Sequence, residues 1–212
     1  MKFDIITIFP NIIQEYINTG ILRIAQEKKL VEIKVHDLRK WTDDKHKTVD
    51  DTPYGGGPGM VMKVGPIYKA IEELKRKGSI VCITTPKGEK LTQSKIEKFS
   101  QNQNAHYIII CGRYEGVDQR VHDHLVDFEF SIGEYILSGG ELPALVLVDS
   151  ITRLIPGVLG NEKSLENESF SEKDKLDYSQ YTKPESFNSW KVPKILLSGN
   201  HRKIEDWRKQ HS

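Results

Sequence analysis

The stretch "SIGEYILSGGELPALVLVDSI", residues 131–151, sets two adjacent glycines and a glutamate at the start of a long apolar run that contains a proline. Pro143 falls in the first turn of that run, where a helix loses no amide partner, so residues 141–155 are predicted to form a buried helix. Gly139 and Gly140 stand immediately before it and carry no Cβ atoms. They indicate either a tight turn or a close approach of bare backbone at the edge of the core.

The chain up to residue 160 alternates predicted strands with predicted helices. Strands are predicted at residues 3–9, 31–38, 80–84, 106–111 and 126–133, and helices at residues 10–19, 20–30, 66–77 and 92–100, with a short one within 112–125. A turn is predicted at "TPKGE", residues 85–89. This alternation favours an α/β domain with a mostly parallel sheet covered on both faces.

Composition excludes several classes of protein. Lysine and arginine number 31 against 30 acidic residues, so no chain-wide positive field points to nucleic acid. Cys82 and Cys111 lie in apolar runs without the paired spacing of a zinc or redox motif, and are predicted to be buried free thiols in a reducing compartment. No apolar run approaches the roughly 20 residues of a membrane span, and the amino terminus does not resemble a signal peptide. A cytoplasmic protein without a membrane partner is predicted.

Two further segments follow residue 160. Residues 161–178 contain six acids and three lysines and are predicted to be a flexible polar linker. Residues 179–212 are predicted to form a small, short helical domain, in which Asn200 caps a basic helix. Its cations are Arg202, Lys203, Arg208 and Lys209. They surround Trp207, which is predicted to pack or to stack on a base.

Three turns follow predicted strands and carry glycine or polar residues: "TTPKG" after Ile83, "CGRYEG" after Ile110 and "SIGEYILSGGELP" after Phe130. Ligands on open α/β sheets bind beyond the carboxyl ends of the strands, so the three turns are predicted to line one pocket. Each turn by itself is better explained by a tight turn that needs positive φ, whereas the three together favour a common pocket. Neither a P-loop nor a dinucleotide-binding glycine motif is present. His122 and His124 are two residues apart and predict no metal site.

Residues 39–65 have no sustained periodicity and contain five glycines and two prolines. A connection of this length is usually functional or disordered. The glycines at residues 55–59 indicate flexibility or close backbone approach. His46 lies in this loop among lysines and acids, either as a solvated residue or as part of a site.

Four motifs together resemble one family. They are "DDKHKTVDDTPYGGGPGM", "ICGRYEGVDQRV", "SIGEYILSGGELPALVLVDSITRLIPGVLG" and "LLSGNH". In this order they are similar to the bacterial tRNA (guanine-N1)-methyltransferases, which modify the guanosine just 3′ of the anticodon. The resemblance implies a SPOUT-type α/β fold with a deep trefoil knot, an exception to the rule that folds are unknotted. It also implies a homodimer with the active site between subunits.

The resemblance further implies S-adenosylmethionine as methyl donor, bent into the knot. Residues 1–160 would be the knotted donor-binding domain, with the backbone of Gly139 and Gly140 free to contact the adenosine. The other residues assigned to the donor by resemblance are Thr85, Pro86, Gly112, Tyr114, Glu115, Ser131, Ile132, Gly133, Tyr135, Leu137 and Pro143.

The acceptor chemistry requires a base, because guanine N1 carries a proton near neutral pH. The resemblance assigns this role to Glu168, although the family has an aspartate there, and assigns Arg153 to the developing charge on the guanine oxygen. Asp149 is predicted to orient Arg153 at helical spacing. Glu115 is predicted to balance the sulfonium charge or to help hold Mg²⁺, which the family is thought to need.

Contacts to tRNA are expected from two patches. The first is the loop at residues 39–47 and beyond, with His46 and Asp50, and the second is the basic C-terminal helix. Two alternatives remain open from the sequence: a methyltransferase of the same fold acting on another RNA or a ribose hydroxyl, and an RNA-binding module without catalysis.

Overall fold

The computed structural model describes residues 1–160, 168–170 and 176–211. Contacts divide the chain into two compact units, Met1–Gly160 and Asn161–Ser212. In chain order the first unit contains β1 (Lys2–Thr7), α1 (Pro10–Ile17), α2 (Gly20–Glu27), β2 (Glu32–Asp37), β3 (Asp50–Asp51), β4 (Val61–Met62), α3 (Val64–Leu74), β5 (Ser79–Lys90), α4 (Gln93–Ser100), β6 (His106–Ile110), α5 (Gln119–His124), β7 (Phe128–Ser131) and α6 (Glu141–Thr152).

Five of these strands form one sheet in the order β2-β1-β6-β5-β7, and all neighbouring pairs are parallel. Alternate residues of β1 face opposite sides, so that Phe3 and Ile5 belong to one core and Ile6 to the other. Helices α1, α2, α4 and α6 contribute to the first core, and α3 and α5 to the second. The prediction of an α/β fold with a parallel sheet covered on both faces is confirmed.

Helix α6 is apolar around most of its circumference: one side packs into the first core, and Leu142 and Val146 are exposed on the other. It begins at Glu141, as the sequence predicts, and Pro143 lies in its first turn. It ends at Thr152 with Arg153 as its C-cap, three residues before the predicted end. The helix predicted at residues 10–19 ends two residues earlier, at Ile17 with Asn18 as its C-cap, and Gly20 opens the next helix as predicted.

Strand β5 differs most from prediction. The segment predicted as a turn does not end the strand, because both Thr84 and Glu89 pair with Phe130 of β7 and the residues between them bulge out. Gly88 makes this possible, since a Cβ at that position would lie 2.4 Å from the backbone nitrogen of Phe130. A bulge re-aims the side chains of its strand. Here it presents residues 85–88 at the carboxyl edge of the sheet.

The second unit contains an antiparallel pair, β8 (Ser186–Phe187) and β9 (Trp190–Lys191), a 3₁₀ turn at Lys194–Leu197, and α7 (His201–Gln210). Asn200 caps α7 as predicted, because its side chain accepts a hydrogen bond of 3.2 Å from the Lys203 amide. The Trp207 ring stacks on His211 at 4.2 Å between centroids. In the first unit, Cys82 and Cys111 are buried free thiols, as predicted. Within the described ranges no helix is long and apolar enough to cross a membrane.

Candidate active site

A cavity of about 620 Å³ lies at the carboxyl ends of β5, β6 and β7. Its walls are the β5 bulge, the turn after β6 and the loop between β7 and α6. All the residues that the resemblance assigns to the donor line this single cavity: Thr85, Pro86, Gly112, Tyr114, Glu115, Ser131, Ile132, Gly133, Tyr135, Leu137, Gly139, Gly140 and Pro143. The three turns therefore meet in space, and their roles toward a ligand stay predictions.

The two glycines before α6 allow a close approach of backbone to backbone. The Gly140 amide donates to the Gly112 carbonyl at 2.8 Å, and a Cβ on Gly140 would lie 1.9 Å from Thr84 Oγ1 and 2.9 Å from the Cys111 backbone. A Cβ on Gly139 would lie 2.1 Å from the Arg113 side chain. Of the two explanations that the sequence allows, close approach is the one that applies here. It brings the first turn of α6 against the ends of β5 and β6.

The loop between β7 and α6 combines apolar side chains with backbone polar groups. Ser131 Oγ donates to the Gly133 carbonyl at 3.0 Å and fixes the start of the loop. The side chains of Tyr135 and Ile136 are 54% and 79% exposed, although both line the cavity. A lining of this kind suits a ligand with a flat apolar portion and edge groups that hydrogen-bond.

The long loop at residues 39–65 is fastened to the turn after β6. The Glu115 amide donates to the Met60 carbonyl at 3.0 Å, and the Met62 amide donates to the Gly116 carbonyl at 2.9 Å. A Cβ on Gly59 would lie 2.5 Å from Glu115 Cγ, and the φ of +80° at Gly59 lies in the left-handed region that favours glycine. The loop thereby forms part of the surroundings of the Glu115 carboxylate.

The predicted tRNA contacts of this loop differ in their relation to the cavity. Burial raises the pKa of Tyr114, and the neighbouring Asp50 carboxylate raises it further, so Asp50 lies beside a cavity-lining side chain. His46 is exposed and does not line the cavity; its amide donates to the Asp44 carboxylate at 3.1 Å. Hydrogen bonds led by that of the Thr48 hydroxyl lower the pKa of Asp44. Asp44 thus orders the segment that carries His46.

The two predicted catalytic residues lie in different units. Arg153 follows α6, and its amide donates to the Asp149 carbonyl at 3.1 Å. The Asp149 carboxylate, predicted to orient Arg153, accepts a hydrogen bond of 2.8 Å from the Tyr16 hydroxyl. Glu168 is half-buried in the second unit. Most of the predicted linker around it, residues 161–167 and 171–175, lies outside the described residues.

The basic side chains of the second unit are exposed on α7. The Arg208 guanidinium lies 4.6 Å from the centroid of the Tyr178 ring, a cation–π arrangement. The other three predicted cations are Arg202, Lys203 and Lys209.

Sequence reasoning missed an ion pair at the cavity, formed by the lining residue Arg113 and a buried glutamate. Glu141 is 1% exposed and pairs with Arg113, whose Nη2 lies 2.8 Å from its carboxylate. Thr7 Oγ1 donates to the same carboxylate at 2.7 Å. The available signals were an acid in the first turn of a buried helix and an arginine inside a glycine-bearing turn, neither of which identifies a partner from sequence.

A second pair on the cavity wall joins His122 Nδ1 and Glu129 Oε1 at 2.8 Å. In the part of the chain that is described, no three His, Cys, Asp or Glu side chains converge as metal ligands.

Comparison with known proteins identifies the family. The profile described as tRNA (Guanine-1)-methyltransferase TrmD matches residues 1–212. A protein of Dictyoglomus turgidum named tRNA (guanine-N(1)-)-methyltransferase is 51% identical over all of this chain and 85% of its own length. Proteins of the same name from Carboxydothermus hydrogenoformans and Methylacidiphilum infernorum are 49% and 51% identical, each over all of this chain and over 83% and 91% of their own lengths. The chain belongs to the tRNA (guanine-1)-methyltransferase family.

Proposed function

We propose that this protein transfers a methyl group from S-adenosylmethionine to N1 of the guanosine just 3′ of the anticodon in tRNA. The observation that carries the proposal is the convergence of the β5 bulge, the turn after β6 and the loop between β7 and α6 around one cavity. Family membership over the whole chain and the shared name of its relatives support the reaction type.

The cavity fits S-adenosylmethionine in size and lining. Its volume of about 620 Å³ falls within the range of small-molecule sites. Ile132, Ile136 and Leu137 offer apolar surface to an adenine ring, and the surrounding turns offer backbone amides and carbonyls to its edge. The Glu115 carboxylate supplies a negative charge for the sulfonium. The donor brings a methyl group that is activated by the positive charge on sulfur.

Two side chains act on the guanine in this proposal. The Glu168 carboxylate removes the proton from N1, which frees the lone pair that attacks the methyl group. General-base catalysis of this kind contributes roughly 10²–10⁴-fold to rate. The Arg153 guanidinium stabilises the negative charge that develops on O6.

The glutamate at position 168 extends the carboxylate by one bond relative to aspartate, about 1.5 Å, and a misplacement of about 1 Å costs on the order of 10²-fold. We therefore expect Glu168 to re-centre its longer side chain so that the carboxylate reaches N1. The proposal routes no step through Mg²⁺, because no three His, Cys, Asp or Glu side chains converge as metal ligands in the described part of the chain.

Two surfaces support recognition of tRNA. The exposed cations of α7 provide phosphate contacts. In the loop at residues 39–65, Asp50 is placed beside the cavity-lining Tyr114 and His46 lies on an ordered exposed segment. A tRNA substrate and two buried free thiols support a cytoplasmic location.

We also infer the homodimer, from the outer surface of α1 and α6. Ile12, Tyr16, Leu142 and Val146 are 42–56% exposed on these two adjacent helices. Exposed apolar side chains grouped in this way mark interaction surfaces. Sedimentation of Leu142→Lys is expected to give a monomer, while Tyr68→Lys, on the opposite side of the sheet, stays dimeric.

The proposed methyltransferase fold also includes a trefoil knot. It is supported by the return of α6 against the ends of β1 and β6.

The reaction is tested by incubating the protein with labelled S-adenosylmethionine and a tRNA transcript that carries guanosine after the anticodon. We expect label in that transcript, a primer-extension stop at that guanosine, and neither signal when adenosine replaces it. The Glu168→Gln variant is expected to lose on the order of 10²–10⁴-fold in rate. Label at another position would favour a different RNA target. Donor binding without transfer to any tRNA would favour an RNA-binding module, and either result contradicts the proposal.

A further inference from the structure

The Glu141 carboxylate is surrounded by three side-chain donors in a site with almost no solvent access. Its Oε1 accepts from Thr7 Oγ1 at 2.7 Å, and its Oε2 accepts from Arg113 Nε at 2.9 Å and Nη2 at 2.8 Å. Hydrogen bonds between charged groups are about twice as strong as those between neutral ones, and burial limits screening. The carboxylate is therefore held in one position.

The Arg113 guanidinium is engaged on its remaining sides as well. Its Nη1 donates to the Ser138 carbonyl at 3.0 Å, and its Cζ lies 4.5 Å from the centroid of the Phe9 ring. Its side chain is 16% exposed. An arginine with these partners is occupied by the protein rather than offered to an anionic substrate.

These contacts join the parts of the chain that enclose the cavity. Arg113 stands between the cavity-lining Gly112 and Tyr114, Ser138 lies in the loop before α6, and Thr7 ends β1. Two backbone contacts accompany them, the Gly140 amide with the Gly112 carbonyl and a bridge between Arg113 and Gly139. The side-chain and backbone contacts thus fix the same distance between the turn after β6 and the loop before α6.

We propose that Thr7, Arg113 and Glu141 form a clamp that sets the spacing of the turn after β6 and the loop before α6, and so positions the methyl donor. All three are positioning residues rather than catalytic ones. The inference rests on the proposed function, because it requires the cavity to hold S-adenosylmethionine. Within the clamp, Thr7 and Glu141 act from behind the cavity wall, whereas Arg113 itself lines the cavity.

A site lined by backbone groups is sensitive to the spacing of its walls, because its amides and carbonyls cannot re-aim as flexible side chains do. A displacement of about 1 Å lowers productive binding on the order of 10²-fold. Lysine keeps the charge of arginine but lacks the rigid fork that engages a carboxylate and a carbonyl together. Arg113→Lys therefore relaxes the spacing while it keeps the buried charge.

The test measures binding of S-adenosylhomocysteine by calorimetry, together with kcat and KM for donor and for tRNA. We expect Arg113→Lys to weaken S-adenosylhomocysteine binding about 10–100-fold and to raise the donor KM, with the tRNA KM unchanged. Thr7→Val is expected to weaken binding about 3–10-fold, whereas Thr7→Ser, which keeps the hydroxyl, restores it to within about 2-fold. Arg120→Lys is the matched control, because Arg120 pairs with Asp118 at 2.6 Å on an exposed surface. It should bind as the wild type does.

A merely structural ion pair would lower the unfolding temperature but leave the affinity of the folded protein unchanged. Unchanged S-adenosylhomocysteine affinity in folded Arg113→Lys would therefore overturn the clamp. If that variant does not fold, equal affinities of Thr7→Val and Thr7→Ser would overturn it. A wild-type protein that does not bind S-adenosylhomocysteine would overturn the proposed function and the clamp with it. If the wild type binds S-adenosylhomocysteine and the variants bind it equally well, only the clamp is overturned and the proposed function stands.

Discussion

Two buried carboxylates attach to the same strand, β1, and are stabilised in different ways. Glu141 meets Thr7 at the carboxyl end of β1 and pairs with a guanidinium. Asp4 lies toward the other end, where His36 Nε2 and His106 Nε2 approach its two oxygens at 2.5 and 2.6 Å. The Arg113–Glu141 pair borders the cavity, whereas Asp4 and its two histidines do not line it. The comparison suggests that a permanently charged partner is used where the shape of a site must not change with pH.

The hydrogen-bond network of Asp4 extends beyond its histidines to Ser79 and the backbone. His106 Nδ1 contacts Ser79 Oγ at 2.7 Å, and Ser79 Oγ accepts from the Arg76 amide at 2.8 Å. The ionised Asp4 carboxylate only accepts, so His106 Nε2–H donates to it, and in the neutral ring Nδ1 then accepts the Ser79 hydroxyl proton. Burial would raise the pKa of Asp4, but the hydrogen bonds of the two histidines outweigh it and hold that pKa below its ordinary value.

The two ends of β1 are expected to differ most in the free energy of unfolding that is lost when a carboxylate loses a partner. Arg113→Ala leaves the Glu141 charge buried without its cation, and we expect it to lower the free energy of unfolding by about 3–5 kcal/mol. His106→Ala leaves Asp4 with His36, and the expected loss is about 1–3 kcal/mol. Denaturant unfolding of both variants measures the two values. Equal losses would mean that the ends of β1 do not differ as described.

A second prediction concerns close packing at the cavity end. Gly140→Ala places a Cβ against the backbone of Cys111 and Gly112, and we expect a loss of about 1–3 kcal/mol together with weaker S-adenosylhomocysteine binding. Gly65→Ala is the control, because Gly65 lies in α3 with no atom near a new Cβ. It should be neutral or stabilising by about 0.5–1 kcal/mol. A tolerated Gly140→Ala would contradict the close approach.

The third prediction tests the pH response of the Asp4 end. Its folded-state pKa lies below the ordinary value of 3.8, so the unfolded chain takes up the proton first and stability is lost as pH falls below that value. Wild-type unfolding free energy should therefore fall more steeply in this range than that of Asp4→Asn. Asp43→Asn, at an exposed ion pair with Lys69, should keep the wild-type slope. If the unfolding free energies of the wild type and Asp4→Asn fall equally steeply with pH, Asp4 does not have the lowered pKa described here.

The smallest expected effects are at two buried hydroxyls. Thr84 Oγ1, at the cavity end, and Thr152 Oγ1, in α6, have no hydrogen-bond partner within the described part of the chain. Replacing either residue by valine removes an unsatisfied polar group at nearly constant shape, so stability should be unchanged or rise by about 1 kcal/mol. Thermal unfolding would detect this. A loss of more than about 1 kcal/mol would mean that the hydroxyl has a partner.

The sequence is informative where a local rule decides the structure. Pro143 predicts the first turn of α6, Asn200 predicts the start of α7, and periodicity predicts the alternation of strands and helices. Strand-end turns predict that the cavity walls converge, because carboxyl ends of parallel strands share one edge of the sheet.

Features that depend on long-range contact could not be predicted. The continuation of β5 through its bulge depends on pairing with Phe130, and local sequence in "TPKGE" favours a turn. The partners in the Thr7–Glu141 contact are 134 positions apart. No local pattern distinguishes a buried acid of this kind from a solvated one at a helix start.

The central claim is that the cavity between the β5 bulge, the turn after β6 and the loop before α6 holds the methyl donor. A crystal structure of the protein soaked with S-adenosylhomocysteine tests it most directly. We expect density for the adenosine among Leu137, Gly139 and Gly112, with its edge bonded to backbone groups of that loop. Density for the ligand at another place on the protein, with this cavity empty, would contradict the account.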